Sequence, residues 1–191
     1  WEPFMTNETI QTILSRRSIR SYEAKPVERE KIDLILQCGQ FAPSGMNRQP
    51  WHFTVVTNRK LLDEISNANR EILLRSPDEG TRFRAQDPNF DSFRGAPMAI
   101  IVSGDPSGRN TMGDCANAIE NMALAATALG LGSCYLASFK LAMEQPEGAY
   151  LLEKLNIPQG YIPMFALSLG YGNEVLGERA PRKENAITFI E

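Results

Sequence analysis

Cys115-Ala116-Asn117-Ala118-Ile119-Glu120-Asn121-Met122-Ala123-Leu124-Ala125-Ala126-Thr127-Ala128-Leu129 reads as a helix that is apolar nearly all the way round. Such a helix must be buried on most sides, and its many alanines let neighbouring backbones approach closely. It is therefore the central helix of a core or of a subunit interface. Thr111-Met112-Gly113-Asp114 just before it has the Thr-x-x-Asp form of a capping box, and Gly130 and Gly132 stop it. Upstream lies Met98-Ala99-Ile100-Ile101-Val102-Ser103, a short continuous apolar run typical of a strand covered on both faces.

Working outward, Thr6 or Asn7 caps a first helix carrying Ile10, Ile13 and Leu14. Pro26-Val27-Glu28 opens a second, whose apolar face includes Ile32, Leu34, Ile35, Leu36, Cys38 and Phe41, and Pro43 ends it near Ala42. Trp51 to Thr57 reads as a strand and Arg59 to Leu74 as an amphipathic helix. Residues 76–95 are polar and turn-rich, the character of a lid, a binding loop or a disordered segment. Ser133 to Ala137 is a short strand, Gln145 to Leu155 a surface helix, Pro163 to Tyr171 an apolar strand and Ala186 to Ile190 a final strand. Helices and strands interleave without a βαβ rhythm, which predicts an α+β fold with a mixed central sheet. No repeat or linker divides the 191 residues, so a single domain over 1–191 is expected.

Composition excludes several classes. A net charge of -3 and a pI near 5.4 argue against a general nucleic-acid binder, so any basic cluster is a local device. No apolar run approaches a membrane span. Cys38, Cys115 and Cys134 form no metal-ligand spacing, and His52 is the single histidine, so no metal site is expected. Odd, apolar-flanked cysteines predict reduced thiols and a cytoplasmic protein.

Leu14-Ser15-Arg16-Arg17-Ser18-Ile19-Arg20-Ser21-Tyr22 is the one dense cluster of cations. Two readings stand. In one, a helix C-terminus attracts cations to its macrodipole. In the other, guanidinium forks and hydroxyls cradle a phosphate. No GxGxxG follows a strand, and neither a P-loop nor a GxSxG elbow is present. Carboxylates suggest no acid/base pair, so an enzyme with this sequence relies on an organic cofactor.

In order along the chain stand Arg16-Arg17-Ser18-Ile19-Arg20, then Ala42-Pro43-Ser44-Gly45-Met46-Asn47-Arg48-Gln49-Pro50-Trp51-His52-Phe53. The Gly113-Asp114 helix ending Leu129-Gly130-Leu131-Gly132-Ser133 follows, then Ile157-Pro158 through Leu169-Gly170-Tyr171-Gly172, and finally Arg182. Together they resemble the FMN-dependent nitroreductase family over nearly the whole chain. The resemblance implies a three-layer nitroreductase-like fold and a homodimer that exchanges its C-terminal strand, with two FMN sites at the interface. By position, Arg16, Arg17 and Ser18 would hold the FMN phosphate and ribityl end, Arg182 would return to that phosphate, and Arg20 would lie beside flavin N1 and O2. Pro43, Ser44, Gly45 and Asn47 match the loop that reaches the partner's flavin; read alone, that loop is a turn between helix and strand. Asn89 matches an asparagine near the flavin pyrimidine, and Leu136, Ala137 and Ser138 match the segment whose backbone amide faces N5. Ala137 and Ser138 stand where some members have glutamate and glycine, and Ala180 stands where a second basic residue is common; either Arg179 substitutes for it or the phosphate is held by fewer charges. Residues 76–95 correspond to the variable cap.

The activity implied is hydride transfer from NADH or NADPH through FMN to an electron-poor small-molecule acceptor, of nitroaromatic or quinone type. No side chain acts as a catalytic nucleophile. The alternatives are a specialised member of the superfamily (reductive dehalogenase, enone reductase or flavin-fragmenting enzyme) and a non-catalytic module gripping an anionic partner.

Overall fold

Alternation along one strand builds the molecule's two cores. A computed structural model describes residues 7–191. Its sheet has four strands, β1 (Trp51–Val56), β2 (Met98–Gly104), β3 (Gly132–Leu136) and β4 (Ile162–Gly170), in the order β1-β2-β4-β3. Side chains of successive strand residues point to opposite faces. Met98, Ile100 and Val102 of β2 therefore enter one core, and Ala99 and Ile101 enter the other. Every residue of β2 is buried, as its unbroken apolar run requires.

The first face is covered by α2 (Arg29–Gln40) and α5 (Thr111–Ala128), which bring Ile32, Ile35, Cys115, Ile119 and Met122 onto Ile100 and Leu167. Gly39 permits this approach, because a Cβ there would lie 2.8 Å from Met122 Cγ. The second face is covered by α3 (Arg59–Leu74), α6 (Ala149–Lys154) and the 3₁₀ turns between β3 and α6, with Leu62, Ile65, Phe139 and Leu151 inside. Helices on both faces of a sheet make the expected three layers.

All three strand pairs are antiparallel, with Val55, Ile100, Leu167 and Tyr135 in register across the sheet. The parallel component is confined to an isolated bridge between Ser18 and Ser133, beside which Ile19 N donates to Ser133 O at 2.8 Å. This bridge lays the arginine cluster against β3.

Several expectations are corrected. Asn7 caps α1 (Glu8–Ser15), accepting from Ile10 N at 3.0 Å; Thr6 lies outside the described residues. The capping box at Thr111 does not form. Thr111 is already helical and buried, Asn110 is the cap, and Asp114 is used elsewhere. Residues 76–95 are not all loop, since α4 (Glu79–Ala85) lies within them, capped by Asp78, which accepts from Thr81 N at 2.7 Å. The 145–155 helix is divided into a 3₁₀ turn at Pro146–Gly148 and α6. Residues 186–190 form no strand: among the described residues no strand edge pairs with them, and Phe189 and Ile190 are 85% and 94% exposed. No helix among the described residues is long and apolar enough to cross a membrane.

Candidate active site

The arginine segment leaves α1 in extended conformation and is held from two directions. From β3 comes the Ser18–Ser133 bridge; from the C-terminal segment, Tyr22 pairs with Gly172 and Arg20 N donates to Glu174 Oε1 at 2.8 Å. Ile19 fills the space over Gly132 and Gly172, where Cβ atoms would lie 2.8 and 2.9 Å from its Cγ2. Tyr22 seals the turn by donating to Ile19 O at 2.6 Å, and burial pushes its phenol well above the usual range.

Arg17 Nη1 donates to Gly177 O at 3.0 Å, and Arg179 Nη2 donates to Ser15 O and Arg16 O at 2.8 and 3.0 Å. Arg16 meets Glu120 at 3.4 Å. Among the described residues this is the one carboxylate paired with the guanidiniums of Arg16, Arg17, Arg20 and Arg179. Backbone carbonyls satisfy donors without cancelling charge, so this corner carries a cationic excess that suits a phosphate. Of the two cations expected from the C-terminal segment, Arg179 touches the cluster, whereas Arg182 donates to Ala180 O at 2.9 Å.

Arg20, Asn89 and Ser138 line one cavity of about 730 Å³, together with Phe83, Arg84, Phe90 and Arg94. Residues more than a hundred positions apart thus share one wall, within the size range of small-molecule sites. Leu136 is buried in the second core, which leaves only its backbone for a ligand; Ala137 and Ser138 are exposed at the end of β3.

Pro43, Ser44, Gly45 and Asn47 lie elsewhere. They belong to a loop between α2 and β1, and Gly45 lines a separate cavity with Met46, Arg48, Asn110 and Asp114. The loop is held in an unusual shape: Met46, Asn47 and Gln49 have φ of 55°, 54° and 48°, in the left-handed region that costs side-chain-bearing residues energy. Its restraints come from α5. Gly45 N donates to the Asp114 carboxylate at 3.1 and 3.2 Å, and Asn117 Nδ2 donates to Pro43 O at 3.3 Å. Ser44 Oγ accepts from Gln49 N at 3.0 Å. A Cβ on Gly45 would come within 2.7 Å of Asn110 Nδ2, so glycine serves close approach to Asn110.

Sequence reasoning missed Asp114, Asn117 and Glu174 as organising groups. Asp114 did carry a signal, a carboxylate in the first turn of a largely apolar helix, but it pointed to a cap. Glu174 carries none, because its partner lies 154 residues away.

The chain belongs to the nitroreductase family, whose model matches residues 13–171. Two solved structures are similar along nearly their whole length. A nitroreductase with bound FMN from Bacteroides fragilis is 35% identical with a TM-score of 0.90, covering 97% of this chain and 100% of that one. A nitroreductase with bound FMN from Desulfitobacterium hafniense is 30% identical with a TM-score of 0.91, covering 98% and 100%. A Methanothermobacter thermautotrophicus protein, provisionally named NADH dehydrogenase/NAD(P)H nitroreductase, is 34% identical over 176 residues, 90% of this chain and 81% of its own.

Proposed function

We propose that this chain is an FMN-dependent oxidoreductase that takes hydride from NADH or NADPH and delivers it to an electron-poor acceptor of nitroaromatic or quinone type. The observation that carries the reading is one segment with two surroundings. Arg16, Arg17 and Ser18 stand in a cation-rich corner, while Arg20, two residues on, lines a cavity with Asn89 and Ser138. That arrangement suits a ligand with a phosphate at one end and a flat ring at the other.

When bound, FMN supplies the redox chemistry, accepting and releasing hydride at N5. The residues of the chain hold and polarise it. Arg16, Arg17 and Ser18 would bind the phosphate end with Arg179 beside them, and Arg182, whose guanidinium donates to Ala180 O in the single chain, would turn to join them. Each charged contact contributes about 1.5–3 kcal/mol, enough in combination to retain the cofactor through turnover. Arg20 would stand at the ring edge where negative charge accumulates, and a fixed cation there would favour reduction. The amides at Ala137 and Ser138 and the side chain of Asn89 orient the ring.

Pro43, Ser44, Gly45 and Asn47 complete the site from a second copy of the chain. Their separation from the arginine cavity within one chain supports this, as do the exposed apolar residues Ile13, Leu14, Phe41 and Phe189. The homodimer, the exchanged C-terminal segment, the single domain over 1–191 and a cytoplasmic location belong to the same reading. The test is to heat-release the cofactor from purified protein and identify it by mass. One FMN per chain is expected, with parallel double-reciprocal plots for donor and acceptor. Absence of FMN after reconstitution overturns the reading.

A further inference from the structure

The cavity that holds Arg20 carries more positive charge than a flavin ring requires. Arg84 and Arg94 line it as well, together with Phe83, which is 75% exposed, and the half-buried Phe90. The guanidinium of Arg94 makes no ion pair or hydrogen bond among the described residues, its backbone N alone donating to Asp91 O at 3.1 Å, and the guanidinium of Arg84 donates to the hydroxyl of Thr81 at 3.2 Å. Two carboxylates share the wall. Asp91 is neutralised by Arg59 at 2.5 Å, and Asp87 accepts from Asn89 N at 2.8 Å. Three arginines against one unpaired carboxylate leave the cavity cationic.

The backbone that presents Arg94 is rigid. Arg94 itself sits at φ 61° and Gly95 at φ 72°. Asp91 holds the turn, accepting from Phe93 N at 2.7 Å and Gly95 N at 2.8 Å while it pairs with Arg59. Phe93 is fully buried, and its carbonyl accepts from Ser168 Oγ at 2.8 Å. Ser92 is pinned as well, its N donating to Ser66 Oγ at 2.8 Å and its Oγ accepting from Asn69 at 3.1 Å. A strained φ persists only where the surroundings over-determine it, and an unpaired cation on such a turn is pre-organised. The helix bearing Phe83 and Arg84 is tied down by Arg70, which donates to Ala85 O at 2.7 Å, and by Arg82, which donates to Ser76 O at 2.7 Å.

We propose that Arg84 and Arg94 form an anion subsite that selects an aromatic substrate bearing a carboxylate or phosphate, with Phe83 and Phe90 against its flat apolar part. The inference rests on the flavoenzyme reading and names the substrate class of that site. The same chemistry suits an aryl carboxylate acceptor or the 2′-phosphate of NADPH.

The test is calorimetric titration of the FMN-loaded protein with two pairs of non-reducible probes: benzoate against benzamide, and adenosine 2′-monophosphate against adenosine. Wild type should bind the charged member of at least one pair about tenfold tighter, as a charge-assisted contact implies. Arg94→Gln and Arg84→Gln should each reduce that preference, and the double variant should abolish it. Preference within the benzoate pair assigns the subsite to the acceptor; preference within the adenosine pair assigns it to the donor. Equal binding within both pairs, or a preference that survives the double variant, overturns the subsite. FMN-loaded protein that shows no charge preference sinks this inference alone, whereas protein that takes up no FMN sinks the flavoenzyme reading beneath it.

Discussion

The carboxylate of Asp114, only 7% exposed, receives the backbone N–H of Gly45 on both oxygens. One side chain in the first turn of the central helix thus fixes the loop that lies 69 residues earlier. Asp114→Ala leaves a part-buried donor unpaired, a loss of about 1–3 kcal/mol. The variant should unfold at lower urea and, if the loop serves the partner's site as proposed, should release FMN faster with the arginines untouched. Denaturation and cofactor-release rates measure the two effects.

Asn69 is a second buried tie. Its Nδ2 donates to Phe139 O, and its Oδ1 accepts from Ala142 N at 2.8 Å. Asn69→Ala strips both and frees Ser92, so a loss of about 2–4 kcal/mol is expected in urea unfolding.

Burial, with the nearby Asp114 charge adding to it, pushes the Cys115 thiol up to about 12 from an ordinary value of 9.0. Above that lower value the unfolded chain gives up a proton that the folded chain keeps. Stability contributed by this group is therefore present below pH 9.0 and is lost as pH climbs toward about 12. Cys115→Ala should flatten the fall in urea midpoint between about pH 9 and about pH 11. An unchanged slope would place the alkaline loss on Cys134 or the buried tyrosine Tyr22, both also raised chiefly by burial.

Arg20 and Arg17 should separate in their effects. Arg17→Ala should weaken FMN binding about tenfold or more through a lost charged contact. Arg20→Gln should instead lower the potential of bound flavin, by about 30 mV for each tenfold loss in the reduction equilibrium. Dye-coupled potentiometry and flavin titration read the two separately. Equal potentials in wild type and Arg20→Gln would remove the ring role of Arg20.

How much of this was legible depended on whether structure is made locally. The 59–74 helix matches residue for residue, since its apolar period alone specifies it, and β2 announces itself as an unbroken apolar run. In contrast, α4 has the polar sequence Glu79-Gly80-Thr81-Arg82-Phe83-Arg84-Ala85 and no apolar face of helical period. It exists through the Asp78 cap and the grips of Arg70 and Arg82. Residues 186–190 look like a strand because β-branched and aromatic residues cluster there, yet a strand needs an edge to pair with. The arginine cluster was visible as charge; its partners Glu174 and Gly177 were not, being fixed by tertiary folding.

The proposed dimer draws on the same exposed residues. Phe41 is 80% exposed, and Ile187, Phe189 and Ile190 lie open on the C-terminal segment. Sedimentation at micromolar concentration should give about twice the 21.3 kDa chain mass. A monomer would leave the arginine cavity without the 43–47 loop.

The most direct measurement is the visible absorption spectrum of the purified protein before and after anaerobic addition of NADH and NADPH. A yellow protein whose flavin band is bleached by one or both nucleotides, and restored by an electron-poor acceptor, is the predicted result. A colourless protein that gains no flavin when FMN is supplied, or a flavin band that neither nucleotide bleaches, would contradict the account.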